Sequence, residues 1–175
     1  MANYANVIIS ATVTIAGFII NYYLMARTFR EEIGKMKTSV YLDEMSKVPM
    51  EVLELLDAIL DKKNYSVIER NLKSLMARIF AYGSKEAILL ISSMQQLNYR
   101  VLSNPQDADA DRNKAIVYYI LMACQVKYDL TGLKVNPEYW YRMRLTDYNT
   151  MRARLTETNN DIVKQLQLED FLMIR

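Results

Sequence analysis

Apolar and polar residues alternate at helical spacing along most of the chain, and the longest apolar stretch comes first. Residues 7–26 contain no charged side chain, and the first one anywhere is Arg27. A hydrocarbon core about 30 Å thick takes about 20 helical residues to cross. We therefore predict a single-pass membrane anchor in this stretch, within a segment 1–26. Because the basic residues follow it, the N-terminus is expected outside and the rest in the cytoplasm.

This stretch also carries a weakly polar stripe. Ser10, Thr14, Gly17 and Asn21 recur at steps of four, three and four residues, which places them along one side of a helix. In a membrane, small and weakly polar residues let a second transmembrane helix approach closely. In water, the same stripe is the solvated face of an amphipathic helix. Both alternatives stay open, and the stripe is the predicted membrane-helix interface.

The helix is predicted to continue past the anchor to about residue 46. Apolar positions go on at steps of three and four through Phe29, Ile33, Met36 and Val40, and no proline occurs before Pro49. We assign residues 27–48 to a helical stalk. Ordinary packing against the domain is the expected role of its apolar face.

Residues 49–175 are predicted to form a helical bundle. Helices are expected after Pro49, from about residue 64 to Gly83, and over residues 85–102, 110–131, 137–144 and 148–172. Gly83 is expected to end its helix in the left-handed conformation, and Ser84 to cap the next. Asn159, Asn160 and Asp161 suggest an interruption and looser packing of the last helix. The fold class is all-α: a long N-terminal, transmembrane helix followed by a compact multi-helix domain.

Composition excludes several chemistries. The chain has no histidine, which removes the commonest general base and the usual zinc ligand. Cys124 is the only cysteine and lies in an apolar run, which favours an inert buried thiol over a nucleophile. With 22 basic and 20 acidic residues, the net charge of +2 does not indicate a nucleic-acid partner. We predict no cofactor and no catalytic residue.

One loop resembles the beginning of a calcium site. Asp107, Asp109 and Asp111 alternate as the first ligands of a calcium loop do. The sixth position is Arg112 where the motif needs glycine, and the twelfth is Tyr118 where it needs glutamate. Acidic residues at a helix start also complement the helix dipole. No metal site is predicted.

Aromatic and basic residues are concentrated in the last third of the chain. They suggest a partner-binding surface, because aromatic residues and arginine are common in protein interfaces. The alternative is that these aromatic side chains are half-buried in the domain and expose only their polar ends to water. The residues singled out for this surface are Tyr139, Trp140, Tyr141, Arg142 and Arg144.

Three short motifs resemble a group of uncharacterised bacterial proteins that pair an N-terminal membrane segment with a helical domain. The matching residues are Tyr82, Gly83 and Ser84, then Lys127, Asp129 and Leu130, then Thr146, Asp147 and Tyr148. Thr131 separates Leu130 from Gly132, where the group has the two adjacent. The resemblance implies a location at the bacterial cytoplasmic membrane and no particular activity.

The function expected from the sequence is a membrane-tethered interaction or assembly module without catalytic activity. Its partners are expected to be the membrane and either a second copy of the chain or another protein. Two alternatives stay open. The first is a soluble helical oligomer with its N-terminal helix buried in an interface. The second is an enzyme that uses carboxylates, lysine or tyrosine.

Overall fold

The structure is a computed structural model that describes residues 2–61, 65–103 and 108–175. These residues form helices and connecting turns, with no strand among them. The all-α prediction and the multi-helix domain are therefore confirmed. The helices are α1 (Ala2–Met45), α2 (Val48–Leu60), α3 (Tyr65–Tyr82), α4 (Lys85–Ser103), α5 (Ala108–Thr131), α6 (Glu138–Arg144) and α7 (Tyr148–Gln165), followed by a 3₁₀ turn (Asp170–Leu172).

The chain divides into two compact units, Met1–Tyr41 and Leu42–Arg175. Most of α1 constitutes the first unit, and the other helices form the second. Among the described residues, no helix combines the length and the apolar character needed to cross a membrane. The transmembrane span predicted for residues 7–26 is therefore not supported.

Helix α5 is the centre of the second unit. Residues 116–126 are all buried, and α5 packs against α2, α4 and α7. A helix that is apolar on every side needs neighbours on every side, which is what its sequence predicts. Cys124 lies within this run, and burial raises the pKa of its thiol to about 12 despite the opposing effect of Lys127. The thiol is therefore protonated and inert at neutral pH, as predicted.

The turn between α3 and α4 is tied to α5. Ser84 Oγ accepts a hydrogen bond from the Ala87 amide at 3.1 Å, which confirms the predicted cap of α4. The same hydroxyl donates to Asp129 Oδ2 at 2.6 Å. Gln125 Nε2 donates to Asp129 Oδ1 at 2.8 Å. The Asp129 carboxylate therefore joins the start of α4 to the last turns of α5.

Gly83 does not adopt the left-handed conformation that was predicted to end its helix. Among the described glycines the left-handed conformation occurs at Gly132, with φ of 69°, where it ends α5. At Gly83 a Cβ atom would lie 2.5 Å from the carbonyl oxygen of Ile79. Glycine is needed here because the backbone turns tightly against the preceding helix, and the Gly83 amide donates to the Ile79 carbonyl oxygen at 2.7 Å.

The end of the chain is firmly packed, so the predicted interruption and loose packing are wrong. Helix α7 continues through the asparagines, but it ends at Gln165 and not at the predicted residue 172. Asn159 Nδ2 donates to the Leu172 carbonyl oxygen at 2.7 Å, and Asn160 exchanges two hydrogen bonds of 2.9 Å with the backbone of Ile174. Asn136 Nδ2 donates to the Met173 carbonyl oxygen at 2.8 Å. Three amide side chains therefore fasten the C-terminal segment, in which Leu172 is fully buried.

Candidate partner-binding surface

Helix α6 is short, and contacts at its start and in its middle fix its position. Asn136 Oδ1 accepts a hydrogen bond from the Glu138 amide at 2.9 Å and so begins the helix. Tyr141 is fully buried, and its ring lies parallel to that of Tyr148 with 6.3 Å between the centroids. The rings of Trp140 and Tyr141 are nearly perpendicular, with 6.2 Å between their centroids. A buried tyrosine in the middle of a two-turn helix decides which side of the helix faces outward.

The outward side carries two large apolar residues and two arginines. Tyr139 is 62% exposed and Met143 is 79% exposed, one helical turn apart. Arg142 and Arg144 are also exposed. These four residues, Tyr139, Arg142, Met143 and Arg144, are called the α6 surface below.

Glu138 organises the charges beside this surface. Its Oε1 atom accepts hydrogen bonds from Tyr148 Oη at 2.9 Å, Arg142 Nη2 at 3.0 Å and Arg152 Nε at 3.2 Å. Burial by itself raises the pKa of Glu138, but the Tyr148 hydrogen bond and the charges of Arg142 and Arg152 together lower it below its usual value. The carboxylate therefore stays ionised and holds both guanidinium groups in place.

Arg144 connects the α6 surface to the bundle. Its Nε atom donates to Asp57 Oδ1 on α2 at 2.8 Å. The hydrogen bond and charge of Asp57 raise the pKa of Arg144 further above neutral pH. Because both groups are partly exposed, this ion pair orients the arginine more than it stabilises the fold.

A shallow cleft adjoins the α6 surface where α6 meets the start of α7. Its volume is about 440 Å³, and its lining residues are Arg142, Leu145, Thr146, Tyr148, Asn149 and Arg152. Residues 134–154 contain five basic and two acidic residues, a net +3, although the whole chain carries only +2. This segment is therefore basic, although Asp57 and Glu169 from outside it pair with two of its basic residues, Arg144 and Lys134.

Catalytic and metal chemistry find little support in this part of the molecule. Within the described residues, no group of three histidine, cysteine, aspartate or glutamate side chains is placed to hold a metal ion. Asp107, Asp109 and Asp111, the aspartates that resemble the start of a calcium loop, have side chains outside the described part of the structure. Glu138 accepts three hydrogen bonds from its own chain at Oε1, and its lowered pKa makes it a weak general base.

The structure separates the residues predicted for the partner surface. Tyr139, Arg142 and Arg144 lie on the surface, whereas Tyr141 lies in the core and Trp140 is half-buried. Including Tyr141 in a binding surface was wrong, because the side of α6 that faces the bundle is decided by its neighbours. Met143 was missed, although its spacing of four residues from Tyr139 indicates a shared side of the helix.

The predicted membrane-helix interface is described only in part. The surroundings of Ser10, Thr14 and Gly17 lie outside the described part of the structure, and Asn21 is exposed. Phe29, Met36 and Val40, for which ordinary packing was expected, are also exposed. The apolar side of α1 is therefore a second surface that calls for an explanation.

Comparison with protein-family models, curated proteins and solved structures finds no match for this chain. The resemblance of residues 82–84, 127–130 and 146–148 to a bacterial membrane-associated group stays a prediction. Function is inferred from the geometry of the chain itself.

Proposed function

We propose that this protein is a non-catalytic interaction module whose α6 surface binds an acidic segment of a protein partner. The observation that carries the proposal is the exposure of Tyr139 and Met143 on a helix whose rotation is set by the buried Tyr141. Scattered exposed apolar residues are ordinary. Here a tyrosine, a methionine and two arginines share one small rigid helix, and these are residue types enriched in protein interfaces.

Charge indicates the chemistry of the partner. Residues 134–154 have a net charge of +3, which Asp57 and Glu169 offset in part, and the remaining positive charge attracts and orients a segment rich in aspartate or glutamate. Arg142 donates through Nη2 to Glu138, and a guanidinium has five N–H donors in all, so others are available to a carboxylate of the partner. Because Glu138 and Asp57 already orient the arginines, binding has less side-chain freedom to remove.

Site-specific photocrosslinking tests this proposal. A photoreactive amino acid replaces Tyr139 in the full chain, expressed at its native level in its own cells. A matched probe replaces Phe80 on α3, which is 76% exposed. We expect a discrete crosslinked protein from the Tyr139 probe and none from the Phe80 probe, and mass spectrometry of the product identifies an acidic segment.

A second substitution separates specific binding from random collision. Met143→Glu in the Tyr139-probe chain is expected to reduce the crosslinked product at least tenfold, because it removes apolar contact and repels an acidic partner. Phe80→Glu is the control, since it adds the same charge at an equally exposed apolar position. A product that survives Met143→Glu, or a crosslinked segment without acidic residues, contradicts the proposal.

Membrane attachment through residues 7–26 is the second element of the proposed function. The observation in its favour is the absence of charged side chains from this stretch, with Arg27 directly after it. We propose an outward N-terminus and a cytoplasmic domain at the bacterial cytoplasmic membrane. Sedimentation of the intact protein with membranes and resistance to carbonate extraction support a tether. Complete release by carbonate contradicts a spanning anchor.

A further inference from the structure

Helix α1 carries an apolar pattern with an unusual period. Seven apolar residues follow one another at steps of four, three, four, four, three and four residues. The pattern is one 11-residue repeat that occurs twice. We call these residues the α1 seam: Phe18, Tyr22, Met25, Phe29, Ile33, Met36 and Val40.

The α1 seam is exposed along its length. Phe18 and Tyr22 are each 72% exposed, Met25 71%, Phe29 61%, Met36 58% and Val40 50%, while Ile33 is half-buried. Burying such side chains is favourable because it removes apolar surface from water. Seven of them on one side of a helix constitute a surface that a partner would cover favourably.

The period of the seam indicates what kind of partner fits. An 11-residue repeat has about 3.67 residues per turn, close to the 3.6 of a straight helix. The seam therefore runs almost parallel to the helix axis for about 33 Å, at 1.5 Å per residue. A second helix can follow it over this length with little supercoiling, and the supercoil of such a pair is right-handed.

We infer that α1 pairs through the α1 seam with α1 of a second copy of this chain, in a parallel and in-register arrangement. This pairing is independent of the α6 surface. Spacing alone allows either orientation, because the seam is symmetric about Phe29. In a parallel pair, each seam residue meets its own counterpart, and Phe29 packs against Phe29 of the second copy.

Charges at the edges of the seam favour the parallel orientation. Glu32 lies at one edge, and Lys37 follows it by five residues at the other edge. In parallel coiled coils, residues with this spacing on neighbouring chains pair across the seam. An antiparallel pair centred on Phe29 instead puts Glu32 level with Ala26 and Lys37 level with Asn21, neither of which is charged.

Sedimentation equilibrium of the full chain in a non-ionic detergent, without lipid, tests the pairing. Phe29→Glu is expected to raise the dissociation constant at least tenfold, because it puts two carboxylates at the centre of the seam. Leu24→Glu is the matched control, since Leu24 is 56% exposed but lies on the far side of α1 from the seam. It is expected to leave association unchanged. A monomeric wild-type chain, or equal effects of the two substitutions, overturns the inference.

Disulfide crosslinking tests the orientation. Met25→Cys is expected to link two copies through residue 25, because a parallel register places Met25 beside its own counterpart. An antiparallel pair puts Met25 opposite Ile33, so it links only a chain with Met25→Cys to a chain with Ile33→Cys. The native thiol, Cys124, is buried and serves as the background control. Crosslinking only in the mixed pair overturns the parallel arrangement.

A bilayer is the other occupant that the seam could accept. Flotation with vesicles of phosphatidylcholine and phosphatidylglycerol distinguishes it from a second copy. If Phe29→Glu abolishes vesicle binding and leaves the sedimentation mass unchanged, the seam covers a lipid surface and the inference fails. If Phe29→Glu lowers the sedimentation mass in the absence of lipid, the second copy is the occupant.

Discussion

Helices α1 and α5 are both rich in apolar residues, yet they differ in how far these residues are buried. In α5, residues 116–126 are buried because α2, α4 and α7 surround them. In α1, the residues of the seam are largely exposed. The apolar residues of α5 are distributed around the helix, whereas the large apolar residues of α1 between residues 27 and 40 all belong to the seam. The positions of apolar residues therefore indicate which side of a helix has to be buried. The fraction of the helix circumference that they occupy indicates how many other helices must pack against it.

The largest expected difference between these helices concerns the fold of the second unit. Leu121 is fully buried in α5, so Leu121→Ala is expected to lower the free energy of unfolding by about 3 kcal/mol. Leu24→Ala in α1 is expected to change it by less than about 0.5 kcal/mol. Urea unfolding followed by the fluorescence of Trp140, the only tryptophan, measures both. Similar effects of the two substitutions would contradict the contrast between α5 and α1.

Ion pairs offer a smaller test of the same contrast. Glu138 accepts three hydrogen bonds at 18% side-chain exposure, whereas Glu31 of α1 pairs with Arg27 at 3.0 Å and is 58% exposed. Glu138→Gln is expected to lower the free energy of unfolding by about 1.5–3 kcal/mol at pH 7. Glu31→Gln is expected to have an effect of less than about 0.5 kcal/mol, because exposed pairs contribute little.

The contribution of Glu138 to the free energy of unfolding is expected to depend on pH. The pKa of Glu138 is lower in the folded state than in the unfolded chain, where about 4.3 is usual. Its contribution is therefore complete above the unfolded pKa and is lost as pH falls through the folded pKa. Glu138→Gln is expected to flatten the decline in stability below about pH 5. An unchanged acid profile would show that Glu138 does not hold the arginines in solution.

The smallest expected effect concerns backbone strain in the second unit. Gln167 follows α7 with φ of 53°, a conformation that costs a non-glycine residue about 1 kcal/mol. Gln167→Gly is expected to raise the free energy of unfolding by about 0.5–1 kcal/mol. Gly132→Ala, at φ of 69°, is expected to lower it by about 1 kcal/mol. Thermal unfolding measures both, and two changes of the same sign would contradict this account.

The sequence was most informative where the physical cause is local. The helix boundaries, the Ser84 cap and the end of α5 at Gly132 follow from apolar spacing and from residues with strong backbone preferences. Predictions failed where a distant segment decided the outcome. Asn159 and Asn160 resemble helix breakers until the C-terminal backbone supplies partners for their amides. The orientation of Tyr141 depends on Tyr148 and on the bundle behind it.

By itself, the sequence determined that this chain is helical, where most of its helices begin and end, and which chemistries the absence of histidine removes. These properties depend on side-chain preferences within a few residues. Tertiary structure decided which apolar helix is enclosed, which arginines share the Glu138 carboxylate, and that Tyr139 and Met143 face outward while Tyr141 does not. Burial and hydrogen bonding between distant segments depend on which surfaces meet, and that is decided only when the helices pack.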